Sequence, residues 1–209
     1  MKPTYRIDDL LGTRSRVAVL RVLHGVEVPL NASQIAARTG FTQPAVASVL
    51  ADLTSMGIVR SSPVGRATVH WLSRDNVYVE NLIDPLFEAE RSIPDDLIDE
   101  LTWAFQGLAI SVVLFGSYAR GDQTPTSDVD VALVASSNPG KAVLEMAAAD
   151  YASAFRSRFG ASLSYLVYTR EEAAALSVTS SELAESIGRD GVVVSGLSSW
   201  EWADYATAC

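Results

Sequence analysis

The chain has 209 residues, 48% of them apolar and 20% charged, and a formal net charge of −9; this is ordinary for a globular protein and enough for one large or two small domains. No apolar run approaches the roughly 18 residues of a membrane helix, and the opening MKPTYRIDDLLG has no signal-peptide core, so no membrane association and a cytoplasmic location are expected. One cysteine, Cys209, excludes an internal disulfide, and the lack of a Cys/His cluster argues against a zinc site.

The charge is unevenly placed. Residues 1–74 carry nine Lys/Arg against four Asp/Glu, a balance of +5, whereas residues 75–209 carry seven against 21, a balance of −14. A basic front on an acidic protein suggests a polyanion-binding module joined to a different one. Within the front, residues 14–24 form a helix with Val17, Leu20, Val22 and Leu23 along one stripe. Asn31 is placed to cap a short helix, Ala32–Thr39, that Gly40 stops. Thr42 is placed to cap a second, Gln43–Met56, with Pro44 in its first turn and Gly57 at its end. Strands are predicted at Ile58–Ser62 and Ala67–Leu72, joined by a turn at Pro63-Val64-Gly65-Arg66. His24, near a helix end, reads as a dipole partner, and His70 as a partly buried, hydrogen-bonded side chain.

Three helices followed by a hairpin resemble a winged helix-turn-helix of the kind found in bacterial transcription regulators, over about residues 10–73. The resemblance implies DNA as a partner and makes Gln43–Met56 the recognition helix. Gln43, Ser48 and Thr54 then offer polar atoms to base edges, and Arg38, Arg60 and Arg66 meet phosphate or minor groove. Asp52 and the absence of Lys or Arg on that helix count against DNA. A docking or dimerisation wing is the alternative.

Asp75–Arg91 reads as an amphipathic helix with Val79, Leu82, Ile83, Leu86 and Phe87 on one stripe and Pro85 as a kink or break. This connector, residues 75–107, packs between domains or forms a homodimer interface. Ile93-Pro94 breaks the pattern, and Asp95–Phe105 starts another helix.

From residue 108 to 209 strands and helices alternate, as in an α/β domain. The segment VVLFGSYARGDQTPTSDVDVALV, Val112–Val134, holds the chemistry. A strand at Ala109–Phe115 ends in Gly116-Ser117, and a second, Asp128–Val134, opens with two aspartates one residue apart. Alternate strand residues share a face, so the carboxylates of Asp128 and Asp130 point together and call for a cation. Hard oxygen ligands suit Mg²⁺ or Mn²⁺. Gly116 allows backbone to approach a ligand closely, and N–H groups at the next helix start suit phosphate. A helix at Ala142–Phe159, a strand at Ser162–Tyr168, a helix at Glu171–Ile187, a strand at Val192–Val194 and a terminal helix at Ser198–Ala206 with Trp200 and Trp202 complete the pattern.

Gly116-Ser117-Tyr118-Ala119-Arg120-Gly121 followed by Asp128-Val129-Asp130 resembles the signature of the nucleotidyltransferase (polymerase-beta-like) superfamily, in its minimal branch. The resemblance implies that Gly116, Ser117 and Arg120 touch nucleotide phosphates and that Asp128 and Asp130 are the catalytic metal ligands. The implied ligands are Mg²⁺ or Mn²⁺ and a nucleoside triphosphate, ATP foremost. The family usually carries a third acid, metal ligand and base, on a later strand. Ser164 stands where it is expected; Glu171 and Glu172 are the alternatives, but both read better as helix-dipole acids. The fold class expected is α+β: an N-terminal winged helix-turn-helix, then a small α/β nucleotidyltransferase-fold domain with a mixed sheet. Two functions follow. One is transfer of a nucleoside monophosphate from NTP to an unknown acceptor. The other is a transcriptional regulator, or an antitoxin with a protein partner such as a toxin, whose second domain binds without catalysis.

Overall fold

Residues 4–177 and 181–202 are described by a computed structural model. The chain divides into two compact units, Met1–Ile93 and Pro94–Cys209.

In the first unit, α1 (Ile7–Leu11) precedes α2 (Arg14–His24), whose Thr13 side chain accepts the Arg16 N–H as an N-cap. A two-residue strand, β1 (Leu30–Asn31), leads into α3 (Ala32–Thr39). Asn31 and Gln34 form a reciprocal capping box there, and Gly40, at φ +71°, ends the helix in the left-handed region open to glycine. α4 (Gln43–Ser55) begins with Pro44 in its first turn, where a missing N–H costs nothing. Thr42 is its N-cap residue, but its hydroxyl makes no capping bond. Strands β2 (Val59–Val64) and β3 (Ala67–Leu72) follow in an antiparallel sheet of order β1-β3-β2.

The hairpin is tighter than predicted. Val64 pairs with Ala67, so only Gly65 and Arg66 form the turn, and Pro63 sits within β2. Proline is tolerated there because β2 is an edge strand with a free N–H side. β1 has too few residues to show a period and was not foreseen. The core gathers Leu20, Leu23, Ile35, Val46, Leu50, Leu53, Ile58 and Leu72.

Val79–Ile83 is a π-helical turn, and α5 (Asp84–Phe105) follows with Pro94 inside it. Pro85 thus falls in the first turn of α5, next to the widened turn, rather than making a kink mid-helix. Pro94 removes one hydrogen bond without ending the helix, contrary to the expected break. The expected stripe divides: Val79, Ile83 and Phe87 are buried in the first core, while Leu82 and Leu86 stay exposed.

The second unit is built on a four-stranded mixed sheet, order β6-β5-β4-β7. Its elements are β4 (Ser111–Phe115), α6 (Gly116–Arg120), β5 (Val129–Ala135), α7 (Asn138–Phe159), β6 (Leu163–Thr169), α8 (Arg170–Ser177), α9 (Glu182–Asp190) and β7 (Val192–Gly196). β5 and β6 run parallel through α7; β4 is antiparallel to both β5 and β7. All five residues of β4 are buried because both faces of the sheet are covered. Val112, Leu114, Val131 and Leu133 face a core with Leu101, Phe105, Leu144 and Phe155. Val113, Phe115, Ala132 and Val134 face a second one with Ala173, Ile187 and Trp202.

The helix expected over Glu171–Ile187 is two helices. Ser181 caps the second by accepting the Ala184 N–H, and that local bond outcompetes the helical period. α7 starts earlier than expected because Ser137 caps it. Of the expected terminal helix, Ser199–Glu201 is a 3₁₀ turn and residues 203–206 lie outside the described ones. The Trp202 indole donates to Ser111 Oγ at 3.0 Å, inside the core. No helix among the described residues is long and apolar enough to cross a membrane.

Candidate functional site

The site is a row across three strand ends. Phe115, at the end of β4, pairs with Asp130 near the start of β5, and Asp130 pairs in parallel register with Ser164 of β6. The chain turns immediately after Phe115. Gly116 takes φ +73°, and a Cβ built there would lie 2.5 Å from Asp130 Oδ2 and 3.3 Å from its Cγ. Bare backbone therefore packs directly on the Asp130 carboxylate, and any side chain at 116 would push the aspartate away. Two constraints, left-handed backbone and this close approach, both demand glycine.

Asp128 lies just before β5 and is exposed, while Asp130 is half-buried. The loop that delivers them is pinned by Ser127, whose Oγ accepts the Thr124 N–H and whose own N–H bonds the Thr124 carbonyl. Val129 N–H donates to Ser162 O at 2.8 Å, tying the loop end to β6. Among the described residues neither aspartate has a hydrogen-bond or ion-pair partner, so two like charges stand two residues apart without a protein cation. Ser117, in α6, is half-buried, with its carbonyl taken by Gly121 and Asp122 N–H groups. Tyr118 packs against the Phe155-side core, so the ring belongs to packing rather than to stacking on a ligand.

Arg120 is ion-paired at the end of α6. Its Nε meets Asp122 Oδ2 at 3.1 Å and its Nη1 lies 3.9 Å from Asp190 Oδ2. Asp190 is also held by Arg189 at 2.8 Å, and these guanidinium contacts keep its carboxyl below the usual range, chiefly through the Arg189 hydrogen bond. Asp190 stands 70 residues from Arg120, and nothing local in sequence announces the pair.

Among the described residues no third acid joins the row. Ser164 is exposed beside Asp130, and among the described residues no three His, Cys, Asp or Glu side chains converge to hold a metal ion. Glu172 serves elsewhere: it accepts the Thr169 N–H, Thr169 Oγ1 accepts the Glu172 N–H, and Lys141 Nζ sits 2.6 Å from Glu172 Oε2. That reciprocal cap starts α8 at the far end of β6, roughly 16 Å from Ser164 at the strand rise of about 3.3 Å per residue. Glu171 is in the same turn, so neither glutamate reaches the row.

In the first unit, Gln43, Ser48 and Thr54 are exposed on α4 with Ala47 and Ala51. Asp52 on that helix is offset by Arg16, 3.0 Å away, a compensation no local pattern reveals. Arg38 lies in the last turn of α3 and Arg66 sits in the hairpin turn, both exposed and without an ion-pair partner among the described residues. Arg60, in contrast, bonds Asp75 Oδ2 at 2.6 Å. His24 is buried, 3.6 Å from Asp84 and against the Phe87 ring; burial pushes its pKa down, so it is a neutral-favouring core side chain, not the cationic dipole partner expected. His70 is also held down by burial, and its Nδ1 is buried without a hydrogen-bond partner among the described residues, unlike the bonded ring expected.

Residues 95–178 match the family model described as a nucleotidyltransferase domain. The match spans the Gly116–Ser117 turn, both aspartates and Ser164. No curated protein matches the chain. Among solved structures, one similar chain comes from a crystal structure of a toxin–antitoxin with AMP-PNP, with 20% identity, TM-score 0.35, 55% of this chain and 83% of that one covered. Another is a point mutant of ZitR from Lactococcus lactis, at 15% identity, TM-score 0.32, covering 50% of this chain and 66% of that one.

Proposed function

We propose that the second unit binds a nucleoside triphosphate at the Gly116–Asp130 turn and transfers its nucleoside monophosphate to an acceptor hydroxyl, and that the first unit is a winged helix-turn-helix that directs it to DNA. The observation that carries the transfer reading is the bare Gly116 backbone against an unpartnered Asp130, inside a segment that matches a nucleotidyltransferase domain. Two free carboxylates fit Mg²⁺, which is usually held by one or two carboxylates with water and substrate phosphates completing the shell. Asp128 and Asp130 would hold it, and it would supply charge neutralisation at the phosphates. The Gly116 backbone carries no side chain to displace the Asp130 carboxylate, and the Ser117 hydroxyl has no partner among the described residues that would compete for phosphate oxygens. The acceptor oxygen forms a bond to the α-phosphorus, the α–β bridging P–O bond breaks toward pyrophosphate, and the acceptor proton leaves to solvent.

A second reading is a transcription regulator or antitoxin that binds nucleotide or a partner protein without transfer, working as a homodimer. Ser164 in the position expected for a base favours it. So do the small-residue face of α4 and the unpaired Arg38 and Arg66. Calorimetric titration with ATP, GTP, CTP and UTP in Mg²⁺, alongside Asp128→Asn/Asp130→Asn, tests the pocket. Loss of binding in the double variant supports it, and no binding by the wild type rejects it. Release of pyrophosphate with a labelled acceptor then separates transfer from binding alone.

A further inference from the structure

The second half of α5 carries one side chain that packing does not explain. Leu97, Leu101 and Phe105 are buried against the sheet. On the opposite face Asp95, Asp96, Asp99 and Trp103 fall within an arc of roughly 100° at 3.6 residues per turn, all exposed. Trp103 is 72% exposed. It is the one large apolar group on an otherwise acidic and polar helix face, and its indole N–H has no hydrogen-bond partner among the described residues. An indole so placed offers apolar ring surface and a donor to something outside the unit.

The surroundings say what that is. Residues 94–209 hold sixteen Asp/Glu against six Lys/Arg, a balance of −10. Four of those six cations, Arg120, Lys141, Arg158 and Arg189, are ion-paired to other acids. Among the described residues Asp95 and Asp99 have no basic partner. The same helix already shows its preference from its flank: Glu100 accepts the Tyr151 hydroxyl at 3.0 Å and the Arg158 guanidinium at 2.9 Å. A negative surface repels nucleic acid and attracts a cationic protein segment. A guanidinium stacks on an indole face more readily than an ammonium does, while Asp99, one turn away, neutralises it and Asp95, a further turn along, meets the next arginine of the segment.

We infer that Asp95, Asp99 and Trp103 form a docking face for an arginine-rich segment of a partner protein. The face lies apart from the Gly116–Asp130 turn and stands whether or not that turn performs transfer.

The test is titration of the full chain with a hexa-arginine peptide, read by the ¹⁵N–¹H indole resonances. The Trp103 signal is identified by its loss in Trp103→Phe. It shifts saturably with hexa-arginine and less with hexa-lysine. Affinity falls about threefold in Trp103→Ala, as expected of one exposed cation–π contact, and about fivefold in Asp95→Asn/Asp99→Asn, as expected of two exposed ion pairs; Trp103→Phe keeps most of it. All the substitutions are on a solvated face, and an unchanged thermal midpoint checks each fold. Equal binding by Trp103→Ala, or an unmoved Trp103 resonance, overturns the inference in favour of generic attraction to an acidic surface. Sedimentation showing a wild-type dimer that Trp103→Ala abolishes overturns it in favour of a second copy of this chain.

Discussion

Asp130 and Ser164 face each other in register across the parallel β5–β6 pair, with the Gly116 backbone against the other side of the aspartate. A carboxylate at 164 would therefore project beside Asp130 and complete a three-acid row without moving any strand. Ser164→Glu is expected to raise nucleotidyl transfer by roughly 10²-fold, the lower end of what a positioned base supplies. Ser164→Ala is expected to leave the wild-type rate unchanged, since a hydroxyl contributes little as a base near neutral pH. Steady-state pyrophosphate release measures both. A Ser164→Ala variant that loses activity would show that the hydroxyl itself takes part.

Gly116→Ala meets two obstacles at once, φ +73° and a Cβ 2.5 Å from Asp130 Oδ2. The left-handed backbone alone costs about 1–2 kcal/mol, and the aspartate must also shift. The variant is expected to unfold at lower temperature by calorimetry and to lose measurable nucleotide binding. Gly121→Ala makes the control: its φ is +72°, but nothing lies within 4 Å of its Cβ position. It is expected to lose stability and keep nucleotide binding.

These two positions also show what the sequence exposes. Gly-Ser before an Asp-x-Asp strand is local, and the apolar strand runs around it follow from a sheet covered on both faces, so the turn and β5 were readable. The register that sets Ser164 against Asp130 was anticipated only as a strand position. Arg120 reaching Asp190, and Arg16 reaching Asp52, are tertiary pairs with no periodic signal. The separate start of α9 at Glu182 was missed because a serine cap such as Ser181 looks like any polar residue inside a helical period. The small strand β1 was missed because two residues show no period, and the shortened hairpin turn because the Val64–Ala67 pairing outweighs a turn-rich tetrapeptide.

The first unit should lose stability in mild acid. His24 and His70 are the only histidines in the chain, and burial lowers the folded pKa of each below 6.5. Asp84 partly opposes this at His24, while Arg74 and Arg91 reinforce it. The unfolded chain therefore binds protons that the folded one does not, so stability rises with pH through this range. It is complete above 6.5 and declines as pH falls from 6.5 toward the folded values. Thermal midpoints measured between pH 7.5 and 5.5 should drop, and His24→Asn should flatten the profile. A midpoint independent of pH over that interval would contradict the buried, neutral assignment.

The arginines of the first unit should divide by whether a carboxylate already holds them. Arg38 and Arg66 are exposed and unpaired among the described residues, whereas Arg60 is held by Asp75 at 2.6 Å. A phosphate contact made by a free arginine releases about one counterion, so each of Arg38→Ala and Arg66→Ala should lower the slope of log affinity against log salt by about one. Arg60→Ala should change it less, because a phosphate would have to displace Asp75 first. Gln43→Ala should act differently again: from the N-terminus of α4 it would weaken binding to a preferred sequence and leave nonspecific affinity and the salt slope in place. Fluorescence anisotropy with a selected duplex and a scrambled one, at several salt concentrations, separates the three behaviours. Equal losses for Arg38, Arg60 and Arg66 would mean that the Asp75 pair does not survive contact with DNA, and no salt dependence in the wild type would remove DNA as the partner of this unit.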